Sequence, residues 1–158
     1  NGDSFRNAAD SRSGLRLQEA ARGQVVLLVD TSVWINFLAP RATRAVVYFR
    51  EQLDKRQPCA LTELIYLEVL QGIREPATVR QVATHLRGQM LLYPRHGLRT
   101  YEAAAELYRR CRAAGITVHS TIDCLVAQIA IEYGATLLHS DRDYERIARV
   151  EPGLKLAP

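Results

Sequence analysis

No stretch of this sequence approaches the ~18 uninterrupted apolar residues that a membrane helix needs, so no membrane span is expected. The first residues, NGDSFRNAADSRSG, hold no apolar h-region and do not read as a secretory signal. Cysteine is scarce: Cys59, Cys111 and Cys124 are odd in number and widely spaced. That fits neither a disulfide framework nor a zinc knuckle. It predicts buried free thiols in a reducing, cytoplasmic compartment. A P-loop and a Rossmann glycine fingerprint are both missing. There is no G-x-S-x-G, and His85, His96, His119 and His139 have no obvious nucleophile partner, so Ser/His/Asp hydrolysis fails on placement. His119, though nearest the acids discussed below, reads as a solvated loop residue. Nor is there a strong charge of one sign. The net charge of +4, from 21 basic and 17 acidic residues, permits a polyanionic partner without demanding one.

What is present is a chain of 158 residues, 47% of them apolar. That suits one domain with a core that needs no staples. Residues 1–24 are rich in Ser, Arg, Ala, Asn and Gly and read as a flexible extension, an artificial remnant or a fragment of something longer. Leu15 onwards can make one or two helical turns. Residues 25–158 then read as a single domain in which short strands alternate with helices. Val25–Val29 predicts a buried strand. Ser32 is placed to cap a helix over Val33–Leu38, ended by Pro40. Thr43 caps a helix over about Arg44–Arg56, with Val47, Phe49 and Leu53 facing inward. Pro58–Thr62 predicts a strand, and Thr62 opens a helix that stops at Gly72. Pro76–Arg87 is a helix, Gln89–Tyr93 a strand, and Leu98–Ala113 a long helix closed by Gly115. Ser120 or Thr121 caps a helix from about Ile122 to Tyr133, closed by Gly134. Ala135–His139 is a strand, Asp141–Arg149 a short helix and Leu154–Leu156 a last strand. The expected fold is α/β: a parallel sheet of four to five short strands flanked by helices on both faces. In such sheets the ligand site lies at the carboxyl ends of the strands.

The acids fall at that edge. In LLVDTSVWINFL, Asp30 is the only charge and ends the first strand. Asp141 follows the fourth strand by one residue, and Asp143 comes two later. Glu68 lies in a helix, TELIYLEVLQG, that is apolar nearly all round and is therefore expected to be buried. Asp123 opens an equally apolar helix. Each acid has a bland reading. Asp30 can cap its own helix through the Thr31 and Ser32 amides, and Glu68 can pair with Arg74. Asp123 can complete a capping box with Ser120, and Asp141 can be an N-cap. All four together are harder to dismiss, because no buried Lys or Arg is visible inside these elements to neutralise them. Clustered carboxylates raise one another's pKa unless a cation intervenes. A hard divalent ion with oxygen ligands answers this, and Mg²⁺ or Mn²⁺ is the natural choice. Asp30 as a phosphate-accepting nucleophile is weakened, since a second Asp is wanted where Ser32 stands. A metal-binding adhesion module is weakened too, since Trp34 stands where its second Ser belongs.

Four motifs in order, V-D-T-S, E-V-L-x-G, D-C-L-V-A-x-x-A and H-S-D-R-D-Y-E-R-I, resemble the PIN-domain ribonucleases, and among them the VapC toxins of bacterial type II toxin–antitoxin pairs. The resemblance covers about residues 25–156. It implies a PIN-like three-layer α/β/α fold and Mg²⁺- or Mn²⁺-dependent endonucleolytic cleavage of RNA, whether tRNA, rRNA or mRNA. It assigns Asp30, Glu68, Asp123 and Asp141 as catalytic and metal-binding acids, with Asp143 as the alternative fourth. Thr31 and Ser32 would hold Asp30 or a water by hydrogen bonds. Members often carry Phe where Tyr144 stands, which implies a packing role for the ring. A cognate VapB-like antitoxin and a homodimer are the implied partners. Arg41, Arg44, Arg74 and Arg142 can hold the RNA backbone. The readings from other classes are a catalytically silent PIN-fold regulatory module and an Asp30-dependent phosphatase.

Overall fold

The computed structural model describes residues 23–157. The helical turns expected from Leu15, and nearly all of the expected extension, lie outside these residues. Five strands form one parallel sheet: β1 (Leu27–Val29), β2 (Cys59–Thr62), β3 (Met90–Leu92), β4 (Thr136–Leu138) and β5 (Lys155–Leu156), in the order β3-β2-β1-β4-β5. The register runs Leu28 opposite Ala60 on one side and opposite Leu137 on the other. Leu27, Leu28 and Val29 are all buried, as expected of a central parallel strand covered on both faces. Val25, expected in β1, lies outside it and is 59% exposed.

The helices are α1 (Thr31–Leu38), α2 (Arg44–Asp54), α3 (Glu63–Gln71), α4 (Pro76–Arg87), α5 (Leu98–Ala113), α6 (Thr121–Tyr133) and α7 (Arg142–Val150). Helix α1 packs on α2 and α3, and α3 on α4, while α5, α6 and α7 pack on one another. Right-handed crossovers put these two groups on opposite faces of the sheet. The chain leaves β1 towards β2 but leaves β4 towards β5. The seam between β1 and β4 is therefore the switch point, where open α/β sheets bind their ligands.

Local chemistry sets most boundaries. Thr43 Oγ1 accepts from the Val46 amide (3.2 Å) and Thr62 Oγ1 from the Ile65 amide (3.2 Å), starting α2 and α3. Ser120 Oγ accepts from the Ile122 amide (3.1 Å) to start α6, which ends on the left-handed Gly134 at φ +61°. The core between α1 and α2 is an aromatic trio. Trp34 and Phe49 meet edge-on at 5.0 Å, and Phe37 meets Phe49 at 5.1 Å.

Three expectations need correction. The cap of α1 is Asp30 and not Ser32, because the carboxylate accepts from the Ser32 amide and draws the helix start back to Thr31. On α2 the buried residues are Ala45, Val46 and Phe49, whereas Val47 (48% exposed) and Leu53 (37%) face outward. Helix α3 is apolar all round but not buried all round. Ile65 and Val69 are covered, and Leu67 is 57% exposed.

Candidate active site

The carboxyl ends of β1 and β4 open into a cleft of about 630 Å³ lined by Asp30, Thr31, Ser32, Glu68, His119, Ser120, Asp123, Asp141 and Asp143. Asp30 stands where β1 gives way to α1 and is 6% exposed. Its backbone amide donates to the Leu138 carbonyl (2.9 Å), which pins the strand end to β4. Three donors meet its carboxylate. The Tyr144 hydroxyl donates to Oδ1 (2.8 Å); the Ser32 amide (2.9 Å) and the Ser32 hydroxyl (2.6 Å) donate to Oδ2. The Ser140 amide donates in turn to Ser32 Oγ (3.0 Å), so both strand ends share one hydrogen-bonded network. A buried carboxylate is tolerable when its oxygens are satisfied in this way.

Glu68 projects from α3, and its Oε2 accepts from the Thr31 hydroxyl (2.5 Å). Arg74 is exposed and is not the partner of Glu68 among the described residues. Thr31 and Ser32 thus divide their work, one on Glu68 and the other on Asp30. Asp123 sits in the first turn of α6. It accepts no hydrogen bond from Ser120, so the capping box is not closed. Its carboxyl is pushed up to about 7, first by burial and then by the charges of Asp141, Asp30, Asp143 and Glu68. Asp123 therefore feels every other acid of the cleft.

Asp141 is exposed and is the N-cap of α7, its Oδ1 accepting from the Asp143 amide (2.9 Å). Asp143 is 2% exposed and fully engaged. The His119 amide (2.7 Å) and ring Nδ1 (2.9 Å) meet Oδ2, and Arg146 Nη1 donates to Oδ1 (2.5 Å). Burial pushes its carboxyl up, but the hydrogen bonds from His119 and Arg146 outweigh this and hold it below the usual value. Arg146 is not buried, its side chain being 38% exposed, yet it pairs with the buried Asp143. It serves Asp143 and no other acid of the cleft.

Two residues of the site were missed or undervalued by sequence reasoning. His119 is not merely solvated: its side chain is 72% exposed, yet Nδ1 is bound to Asp143. Its partner lies 24 residues away, so no local pattern marks it. Tyr144 packs as expected, 1% exposed, but its hydroxyl is also bonded to Asp30. Burial, and then the Asp30 charge, lifts the phenol well above its ordinary pKa, so it remains a donor. A buried tyrosine usually has a partner for its hydroxyl, and that was the available signal.

The donor set is all oxygen, which suits a hard divalent ion. The acids line the cleft without closing on one point: among the described residues no three His, Cys, Asp or Glu side chains form a ready coordination cluster. Waters commonly complete the shell of Mg²⁺, which takes only one or two carboxylates from the protein. The residues present fit such an ion.

The fold and cleft are those of an open parallel α/β domain with five carboxylates at its switch point. The sequence matches the PIN domain family over residues 27–150. It is 34% identical over 126 residues to ribonuclease VapC11 of Mycobacterium tuberculosis and to VapC ribonuclease Mb1587 of Mycobacterium bovis, in alignments spanning 79% of this chain and 93% of each relative. Among solved structures, VapBC2 from Rickettsia felis, bound to a DNA fragment from their promoter, superposes with a TM-score of 0.66 at 17% identity, over 84% of this chain and 98% of that one. The chain belongs to the PIN-domain family and, within it, to the VapC ribonucleases.

Proposed function

We infer that this chain is a divalent-metal-dependent endoribonuclease toxin, with Mg²⁺ or Mn²⁺ as the ion and a VapB-like antitoxin as its neutralising partner. The observation that carries the reading is that Asp30, Glu68, Asp123, Asp141 and Asp143 line a single cleft, where burial and then the charges of the other four lift the Asp123 carboxyl to about 7. A carboxylate so placed is relieved by a cation or by a proton. A bound divalent ion would supply Lewis-acid stabilisation of the phosphodiester and lower the pKa of the attacking water.

Asp30, from the strand end, and Asp123, from the first turn of α6, would hold the ion. Glu68, fixed by Thr31, and the exposed Asp141 would complete its shell or orient an attacking water. Asp143 is occupied by His119 and Arg146, so Asp141 remains the first choice for the fourth acid. Arg41, Arg44, Arg74 and Arg142 are exposed and supply the charge that holds an RNA backbone beside an acidic cleft. Next to the cleft is a second hollow of about 630 Å³, lined by Leu64, Tyr101, Tyr108, Ile122 and Leu125, among others. It shares the first turn of α6 with the cleft. Tyr101, which lines it, is 49% exposed. Apolar surface of this kind suits an antitoxin segment or the second subunit of a homodimer.

The test is cleavage of tRNA, rRNA and mRNA by the purified chain with Mg²⁺ or Mn²⁺, beside Asp30→Ala. The wild type is expected to cut in the presence of metal only, and the variant to lose the activity. Undiminished cutting by Asp30→Ala would sink the mechanism. A Mn²⁺ titration in which the wild type binds nothing would point instead to the silent regulatory module.

A further inference from the structure

The oxygens of Asp30 are unequally occupied. Oδ2 accepts two hydrogen bonds, from the Ser32 amide and the Ser32 hydroxyl. An ionised carboxylate offers about four lone-pair sites, two to each oxygen, so Oδ2 is full. Oδ1 accepts one, from the Tyr144 hydroxyl at 2.8 Å, and keeps one site open. By this count the acceptor site that Asp30 has left for a ligand is on Oδ1, the atom that Tyr144 holds.

We propose that Tyr144 is a positioning residue of the active site: its hydroxyl aims Asp30 Oδ1 at the divalent ion and restricts Asp30 to a single point of contact. This rests on the reading of the cleft as a metal-dependent nuclease site. The surroundings make the hydroxyl a fixed device. Tyr144 is 1% exposed, and its ring lies against His139 at 5.3 Å between centroids. The ring cannot swing away to solvent, and the hydroxyl has Asp30 as its hydrogen-bond partner. The bond also joins elements far apart in the chain, beneath the cleft lining. It ties α7, which carries Asp143 and is capped by Asp141, to the end of β1 across 114 residues of sequence. Phenylalanine would fill the same space and leave Oδ1 with an unmet site and a looser aim. Groups that orient a metal ligand through hydrogen bonds commonly matter this much: losing one costs about 10- to 100-fold in metal affinity or activity.

The experiment compares the full chain with Tyr144→Phe and with Ile147→Val. Ile147 is fully buried on the same helix and does not line the cleft, so its change tests packing alone. Each protein is titrated with Mn²⁺ by calorimetry, at a temperature where its melting curve shows it folded, and then assayed for RNA cleavage. Tyr144→Phe is expected to bind Mn²⁺ about 10- to 100-fold more weakly and to lower kcat, with KM for RNA little changed. Ile147→Val is expected to lower the melting temperature while keeping wild-type Mn²⁺ affinity. Affinity within about twofold of wild type for Tyr144→Phe overturns the proposal, measured against the loss expected for a ligand-orienting group. An equal loss in Ile147→Val overturns it too, since packing would then explain both. Wild-type binding judges the reading of the cleft itself: if the unaltered chain takes up no Mn²⁺, that reading falls and this one with it.

Discussion

Asp123 is the acid whose ionisation the fold opposes most clearly. Its folded pKa is raised from 3.8 to about 7 by burial and by four neighbouring carboxylates. An unfolded Asp123 gives up its proton near 3.8, whereas the folded one keeps it until about 7. Across that window the native state binds more protons than the unfolded state, so stability falls as pH rises and levels off above it. Asp143 has the opposite sign. Its lowered pKa contributes stability above the usual carboxylate value, and this is lost as pH falls through the folded value. In chelator, thermal melts should show the melting temperature dropping from mildly acidic to neutral pH, and Asp123→Asn should flatten that drop. Mn²⁺ should restore the loss at neutral pH, because a ligand that binds only the native state stabilises it. A wild-type profile that is flat or rising over the window would rule this out. The acids themselves were legible in the sequence because a carboxylate in apolar surroundings is costly enough to stand out. Of the groups that hold them, Ser32 beside Asp30 was legible too, whereas Tyr144 and His119 were not. Tyr144 and His119 reach Asp30 and Asp143 across 114 and 24 residues, and such pairings are made by the sheet order rather than by any local pattern.

Helix α6 carries Asp123 at one end and Gly134 at the other. Gly134 adopts φ +61°, and a Cβ placed there would meet nothing within 4 Å. Gly134→Ala therefore costs backbone strain and no clash, about 1–2 kcal/mol for a left-handed non-glycine residue. A chain of this size should melt about 2–4 °C lower for each kcal/mol lost. Mn²⁺ affinity should be unchanged, because the substitution is at the far end of the helix from the cleft. An unaltered melting temperature would show that the turn is not needed. Such ends were readable because capping is local chemistry: Thr43, Thr62, Ser120 and Gly134 act within a few residues of themselves. The faces were less readable. Val47 and Leu53 follow the period of α2 but are exposed, and α3 hides Ile65 and Val69 while presenting Leu67 to solvent. Hydropathy reports what a side chain tolerates, while coverage depends on which neighbour arrives. The same limit trimmed β1, where Val25 is apolar enough for a strand but lies beyond its paired residues.

At the scale of the whole molecule the charges pose a problem, because RNA must approach a cleft lined by five carboxylates. The net charge of +4 gives the chain a mild attraction for a polyanion. Arg44 opens α2 and Arg142 opens α7, two helices that begin near the carboxyl edge of the sheet, and both side chains are exposed. If they grip phosphates, binding must release counterions, and the affinity for RNA must fall with salt. For single strands each phosphate contact contributes about −0.7 to the slope of log affinity against log salt. Binding measured in chelator, where the RNA stays intact, separates a grip from a merely favourable surface. Replacing Arg44 and Arg142 together by Gln should make the slope shallower by about 1.4, two contacts at the single-strand value. It should also weaken binding most at low salt, with the curves converging as salt rises. An unchanged slope would mean that neither arginine touches the backbone. Arg41 and Arg74 would then be the pair to replace next, since the acidic cleft still needs a cationic rim to admit its substrate.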